Sequence, residues 1–174
     1  MVIATKDVTT KLAEYAMNLR FEDIPLPVIQ RTKQLFLDFL GVALGGYQVA
    51  DSTKPTIDAV RELANGSPGT STIIGEEDLF PAHYAALANG TLAHSMDFDD
   101  THRAAIMHPG APLFATLLAL AEERRSSGRE LLVAAVAGYD IGNKLGKAHG
   151  PKVHHKGFHP TATTGIFACT SAGG

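Results

Sequence analysis

Between two apolar stretches the sequence places His94-Ser95-Met96-Asp97-Phe98-Asp99-Asp100-Thr101-His102 and, a few residues on, Met107-His108-Pro109-Gly110. Three carboxylates, two hydroxyls and three imidazoles in so short a segment exceed what packing needs, because charged groups are seldom buried unless paired. The chemistry open to them is proton transfer. An imidazole, with a reference pKa of about 6.5, takes and gives a proton near neutrality, and a carboxylate or a hydroxyl can orient it. A solvated acidic loop is the plain alternative for any charge run. The flanks argue against that alternative: residues 82–93 run into the loop and residues 112–121 leave it, both Ala- and Leu-rich, so buried segments hold the groups in place.

Other motif readings compete. Asp97-Phe98-Asp99-Asp100-Thr101 fits the Asp-x-Asp-x-Thr pattern of haloacid-dehalogenase-like phosphatases, but that nucleophile needs the end of a buried strand, and residues 88–94 are poor in β-branched side chains. The same residues fit the Asp-x-Asp-Asp acid of class II terpene cyclases. Their carbocations need aromatic walls, and this chain has no Trp and 7% aromatics. His94, Asp97, His102 and His108 form a chemically allowed metal set, yet their spacing matches no characteristic metal signature, so no bound metal is expected. A second polar break, residues 147–160, carries Lys147, His149, Lys152, His154, His155, Lys156 and His159. It suits a carboxylate or phosphate ligand, or simple solvation.

The elements that must position these groups read as helices. Leu12, Tyr15, Ala16 and Leu19 recur at helical spacing from about Thr10 to Arg20, with Thr9 or Thr10 as N-cap. Pro25 and Pro27 interrupt. Val28, Ile29, Leu35, Phe36, Phe39 and Leu40 then form a broad stripe ending near Gly45-Gly46, and residues 52–65 make a third helix stopped by Asn65-Gly66. Ser71-Thr72-Ile73-Ile74 is the one β-like run, and an isolated strand makes no sheet. Helices follow over the Ala-rich segment after Asp78 and Pro81, over residues 112–125, over about 130–145, and from Thr161 onward.

A chain of 174 residues, 45% hydrophobic and 19% charged, can bury a single core. Apolar stretches are broken well short of the roughly 20 residues a bilayer needs, and residues 1–20 lack a signal-peptide core, so a cytoplasmic protein without membrane contact is expected. A net charge of −3 argues against a nucleic-acid surface. Cys169, the one cysteine, leaves no internal disulfide, no Cys-based zinc site and no three-cysteine iron–sulfur cluster, and reads as a small buried side chain.

Leu37-Asp38-Phe39-Leu40-Gly41, Asn89-Gly90, the block His94 to Thr101, His108-Pro109, Gly138-Tyr139-Asp140 and Gly157-Phe158-His159-Pro160-Thr161 resemble, in order and approximate spacing, the N-terminal part of MmgE/PrpD proteins. These include 2-methylcitrate dehydratase, cis-aconitate decarboxylase and iminodisuccinate epimerase. The resemblance implies an all-α fold over residues 1–174: a multi-helix domain like the N-terminal portion of the family's helical domain, lacking its α/β lid. It further implies a homodimer, no metal or organic cofactor, and lyase chemistry, dehydration or decarboxylation, on a small di- or tricarboxylate such as 2-methylcitrate or cis-aconitate. By the same carry-over Asp97, Thr101, His108 and His159 are catalytic, with His108 moving the proton. Lys156 and His102 are substrate-binding candidates. Two family lysines and a lid tyrosine would lie beyond Gly174, so the chain alone is expected to be incomplete and inactive. The alternative is a non-catalytic helical module that dimerises or binds acids.

Overall fold

The computed structural model describes residues 5–174, with side chains from Val8 onward. Its elements run α1 (Thr5–Asn18), a 3-10 turn (Phe21–Asp23), α2 (Leu26–Val49), α3 (Thr53–Ala64), β1 (Ser71–Thr72), β2 (Leu79–Phe80), α4 (Ala82–His94), α5 (Gly110–Arg124), α6 (Gly128–His149), α7 (Lys152–His155) and α8 (Pro160–Gly173). The all-α assignment holds. Thr9 and Thr10 lie inside α1 rather than capping it. Pro27 opens α2 instead of interrupting it, because the first helical turn has no partner for an N–H there anyway. Asn65 takes the left-handed conformation (φ 46°) that stops α3, and Ser127 with Glu130 forms a capping box that starts α6.

The helices close on an aromatic and alanine core. Phe36, Phe39 and Phe114 have ring centroids 5.2–6.2 Å apart, and Leu92, Leu113, Val60 and Ile73 fill around them. Ala85, Ala88 and Ala93 on α4 and Ala111 and Ala115 on α5 are fully or nearly fully buried, which lets the two helices pack closely. At the α2–α4 crossing a Cβ on Gly46 would stand 2.1 Å from the Leu92 carbonyl oxygen, so only glycine permits that approach.

The β-like run does find a partner: Ser71 pairs with Phe80 and Thr72 with Leu79, antiparallel. The expectation of an isolated strand is corrected here, since two residues are too few to leave an alternating pattern in sequence. Helices hold the ribbon in place. The Glu122 carboxylate accepts from the Thr72 N–H (2.7 Å) and hydroxyl (2.8 Å), and the Ser71 hydroxyl donates to the Ala119 carbonyl (2.8 Å). From α4, buried Asn89 accepts from the Ile74 N–H (2.9 Å) and donates to the Thr72 carbonyl (2.8 Å). Asn89→Ala removes both bonds and strands their backbone partners, so urea unfolding is expected to show a loss of about 1–3 kcal/mol. A loss near zero would mean that water replaces both bonds.

Among the described residues no helix is long and apolar enough to cross a membrane.

Candidate active site

Helix α4 delivers His94 in its last turn, and the chain then bends at Asp97, whose φ of 54° is left-handed. That bend turns Asp99 inward. The other end of the loop is fixed by Asp100, which accepts from the Gly110 N–H at the start of α5 (2.7 Å) and from the Tyr139 hydroxyl of α6 (3.0 Å). Burial raises the Asp100 carboxyl above its usual range against the pull of these two donors. Burial, reinforced by the Asp100 charge, also pushes the Tyr139 phenol well up. Helix α8 contributes a third tie: the His108 N–H donates to the buried Thr161 hydroxyl (3.0 Å).

Held in this way, five side chains converge. The Asp99 carboxylate, 2% exposed, lies 2.9 Å from His94 Nδ1 and 3.2 Å from His108 Nδ1. His108 Nε2 is 3.4 Å from Oδ1 of Asp97, whose side chain is 81% exposed. The His94 ring lies 5.0 Å from that of His108 and stacks at 5.5 Å on His159, the N-cap residue of α8. Desolvation, with the neighbouring His94 and His108, lowers the His159 pKa. His159 is thereby biased toward its neutral form, in which one ring N–H can still donate to a ligand. His94, Ser95, His159, Thr161 and Cys169 line a cavity of about 730 Å³ in which no lysine or arginine takes part among the described residues. Burial raises the Cys169 thiol.

Of the residues expected from sequence, Asp97, His108 and His159 come together, and Thr101 and His102 face elsewhere. Both line a separate groove of about 550 Å³ with Arg31, Asp38, Tyr139 and Asn143. His102 is tied there by its N–H to the Met107 carbonyl (2.8 Å) and by Nδ1 accepting from the Ala105 N–H (3.2 Å). Lys156 is exposed at the end of α7 and makes no ion pair among the described residues. The site list from sequence omitted Asp99 and His94. Type and spacing could not tell which of three aspartates turns inward. One ligand atom each from His94, Asp97, Asp99 and His108 lie within 4.8 Å of one another, so Asp99, not His102, completes the donor set that could hold a divalent cation.

The pattern described as the MmgE/PrpD N-terminal domain matches residues 10–174. The chain belongs to the MmgE/PrpD family. A cis-aconitate decarboxylase-like protein, oryM, of Aspergillus oryzae is 32% identical over 95% of this chain and 36% of its own length. The cis-aconitate decarboxylase of Aspergillus terreus is 31% identical over 98% of this chain and 36% of its own. That of Homo sapiens is 33% identical over 96% and 35%. The chain thus spans little more than a third of the length of these curated family relatives.

Proposed function

We propose that this chain supplies the acid–base half of a lyase site for a small di- or tricarboxylate, working without a metal, with cis-aconitate and 2-methylcitrate the substrates to test. The observation that carries the reading is the convergence of His94, His108 and His159 with Asp97 and Asp99, of which His94 and His159 line one cavity. Relatives named as cis-aconitate decarboxylases add weight to decarboxylation.

In decarboxylation the bond from carbon to a carboxylate breaks and CO2 leaves. The electron pair stays on the carbon, spread into the neighbouring conjugated carboxylate, until protonated His108 delivers a proton to it. In dehydration a base takes the proton from carbon and an acid protonates the departing hydroxide. Asp97 orients His108 in either case, and His159 and Lys156 bind substrate carboxylates. Thr101 hydrogen-bonds substrate when the groove it lines joins the cavity. A tricarboxylate needs more positive charge than these imidazoles and Lys156 give, so further cationic side chains are expected to complete the site. The working unit is proposed to be a homodimer, for which exposed Phe158, Ile166 and Phe167 offer apolar surface.

The test uses chelator-treated full-length polypeptide with each acid, followed by NMR of the products. Turnover of one acid that survives chelation is expected, with little or none from residues 1–174 alone. Turnover only after a divalent ion is restored would move the chemistry to the His94, Asp97, Asp99 and His108 donor set. Binding without turnover would favour an acid-binding module instead.

A further inference from the structure

We infer that Asp99 is a positioning residue that fixes the tautomer of two imidazoles at once, and that His94 is the second proton-transfer group beside His108. This deepens the lyase reading and rests on it for the purpose of the arrangement.

The argument is one of donors and acceptors. Both oxygens of the Asp99 carboxylate lie close to His94 Nδ1, at 2.9 and 3.1 Å. With both carboxylate oxygens placed as acceptors, Nδ1 donates, and in the neutral ring the lone pair of His94 is left on Nε2. His108 Nδ1 faces the backbone carbonyl of the same residue at 3.3 Å, with the carboxylate at 3.2 Å. A carbonyl oxygen can only accept. His108 therefore also carries its proton on Nδ1, which makes Nε2, the atom facing Asp97, its basic nitrogen. One buried residue thus supplies acceptors to two rings 5.0 Å apart. The other groups facing the pair are Asp97 from the loop and His159 from α8.

Two imidazoles anchored through Nδ1, one neutral as base and the other carrying a second proton as acid, fit what these reactions require. Dehydration needs one group to take the carbon-bound proton and another to give a proton to the leaving hydroxide. Decarboxylation needs one proton delivered to carbon, and the second imidazole can return it from water. His94 lines the cavity together with His159, which sets its ring beside a ligand held there. Asp99→Leu keeps roughly the volume but removes both acceptor oxygens. No side-chain acceptor then holds the His94 proton on Nδ1, and the ring is released to the Nε2–H form.

The test is long-range proton–nitrogen NMR of the 174-residue chain labelled with 15N-histidine, at a pH where the imidazoles are neutral. The expected spectrum has unprotonated Nε2 in both His94 and His108, and Asp99→Leu moves His94 to the Nε2–H form while His108 keeps its backbone acceptor. Wild-type rings already protonated at Nε2 would overturn the proposal, and this measurement decides it even where the Leu variant fails to fold. An unchanged His94 tautomer in a folded Leu variant would overturn it too. In the full-length protein Asp99→Leu and His94→Ala should each lower kcat about a hundredfold with little change in KM. The expected tautomers in a protein that turns over no carboxylate would sink the lyase reading and leave the geometry standing.

Discussion

His108→Ala in the full-length polypeptide is expected to lower turnover of the carboxylate substrate by about two to four orders of magnitude while the melting temperature hardly moves. The loss is in the transition state, because the imidazole that carries the proton is gone. Folding is spared for two reasons. The buried Asp99 carboxylate keeps its bond from His94 Nδ1, and the backbone N–H of residue 108 keeps its bond to Thr161. His154→Ala makes the contrast, since His154 lies exposed on α7 and outside the convergent set. It should change turnover less than about twofold, within the range of surface substitutions. Equal, mild losses at both positions, measured as kcat on the same substrate, would make these imidazoles loop residues and move the proton-transfer group elsewhere.

Gly110→Ala should do the reverse and unfold the site from its frame. A Cβ there would stand 2.3 Å from Asp100 Oδ1 and 2.8 Å from the Tyr139 hydroxyl. Neither atom can withdraw without breaking the Asp100 bonds to the Gly110 N–H or to Tyr139. Overpacking plus a stranded buried carboxyl costs about 2–5 kcal/mol, which lowers the melting midpoint of a domain this size by on the order of 10 °C. Gly41→Ala is the control: nothing lies within 4 Å of its Cβ position, and inside α2 alanine should be neutral or slightly stabilising. Differential scanning of the two variants checks both, and an unaltered midpoint for Gly110→Ala would show that the loop frame is more yielding than its geometry implies.

The contrast between these residues shows what the sequence could carry. Helices α2 to α6 were legible because their apolar faces repeat and their stops are local chemistry, such as Asn65 after α3 and the Ser127–Glu130 box before α6. The position of the site was legible too, since His94 to His108 falls between two buried helices. The direction of each side chain in that loop was not. Asp97 and Ile106 both adopt positive φ, and such residues break the simple alternation by which side chains would be sorted inward and outward. Hence Asp99 rather than Asp97 is the buried carboxylate, and Thr101 and His102 open onto a different groove. The β1–β2 ribbon was hidden for another reason: bonds from Asn89 and Glu122, remote in sequence, hold it in place.

The left-handed turn at Asp97 also bears on how such a site can be lost. Asparagine and aspartate are the non-glycine residues most at ease in that conformation. An amide at 97 therefore fits the same bend, and a side chain already facing water has little packing to lose. A drift from acid to amide here would leave expression, solubility and fold untouched while removing the charge beside His108. Nothing in the stability of the protein guards this position; the proposed reaction alone would keep the carboxylate in place.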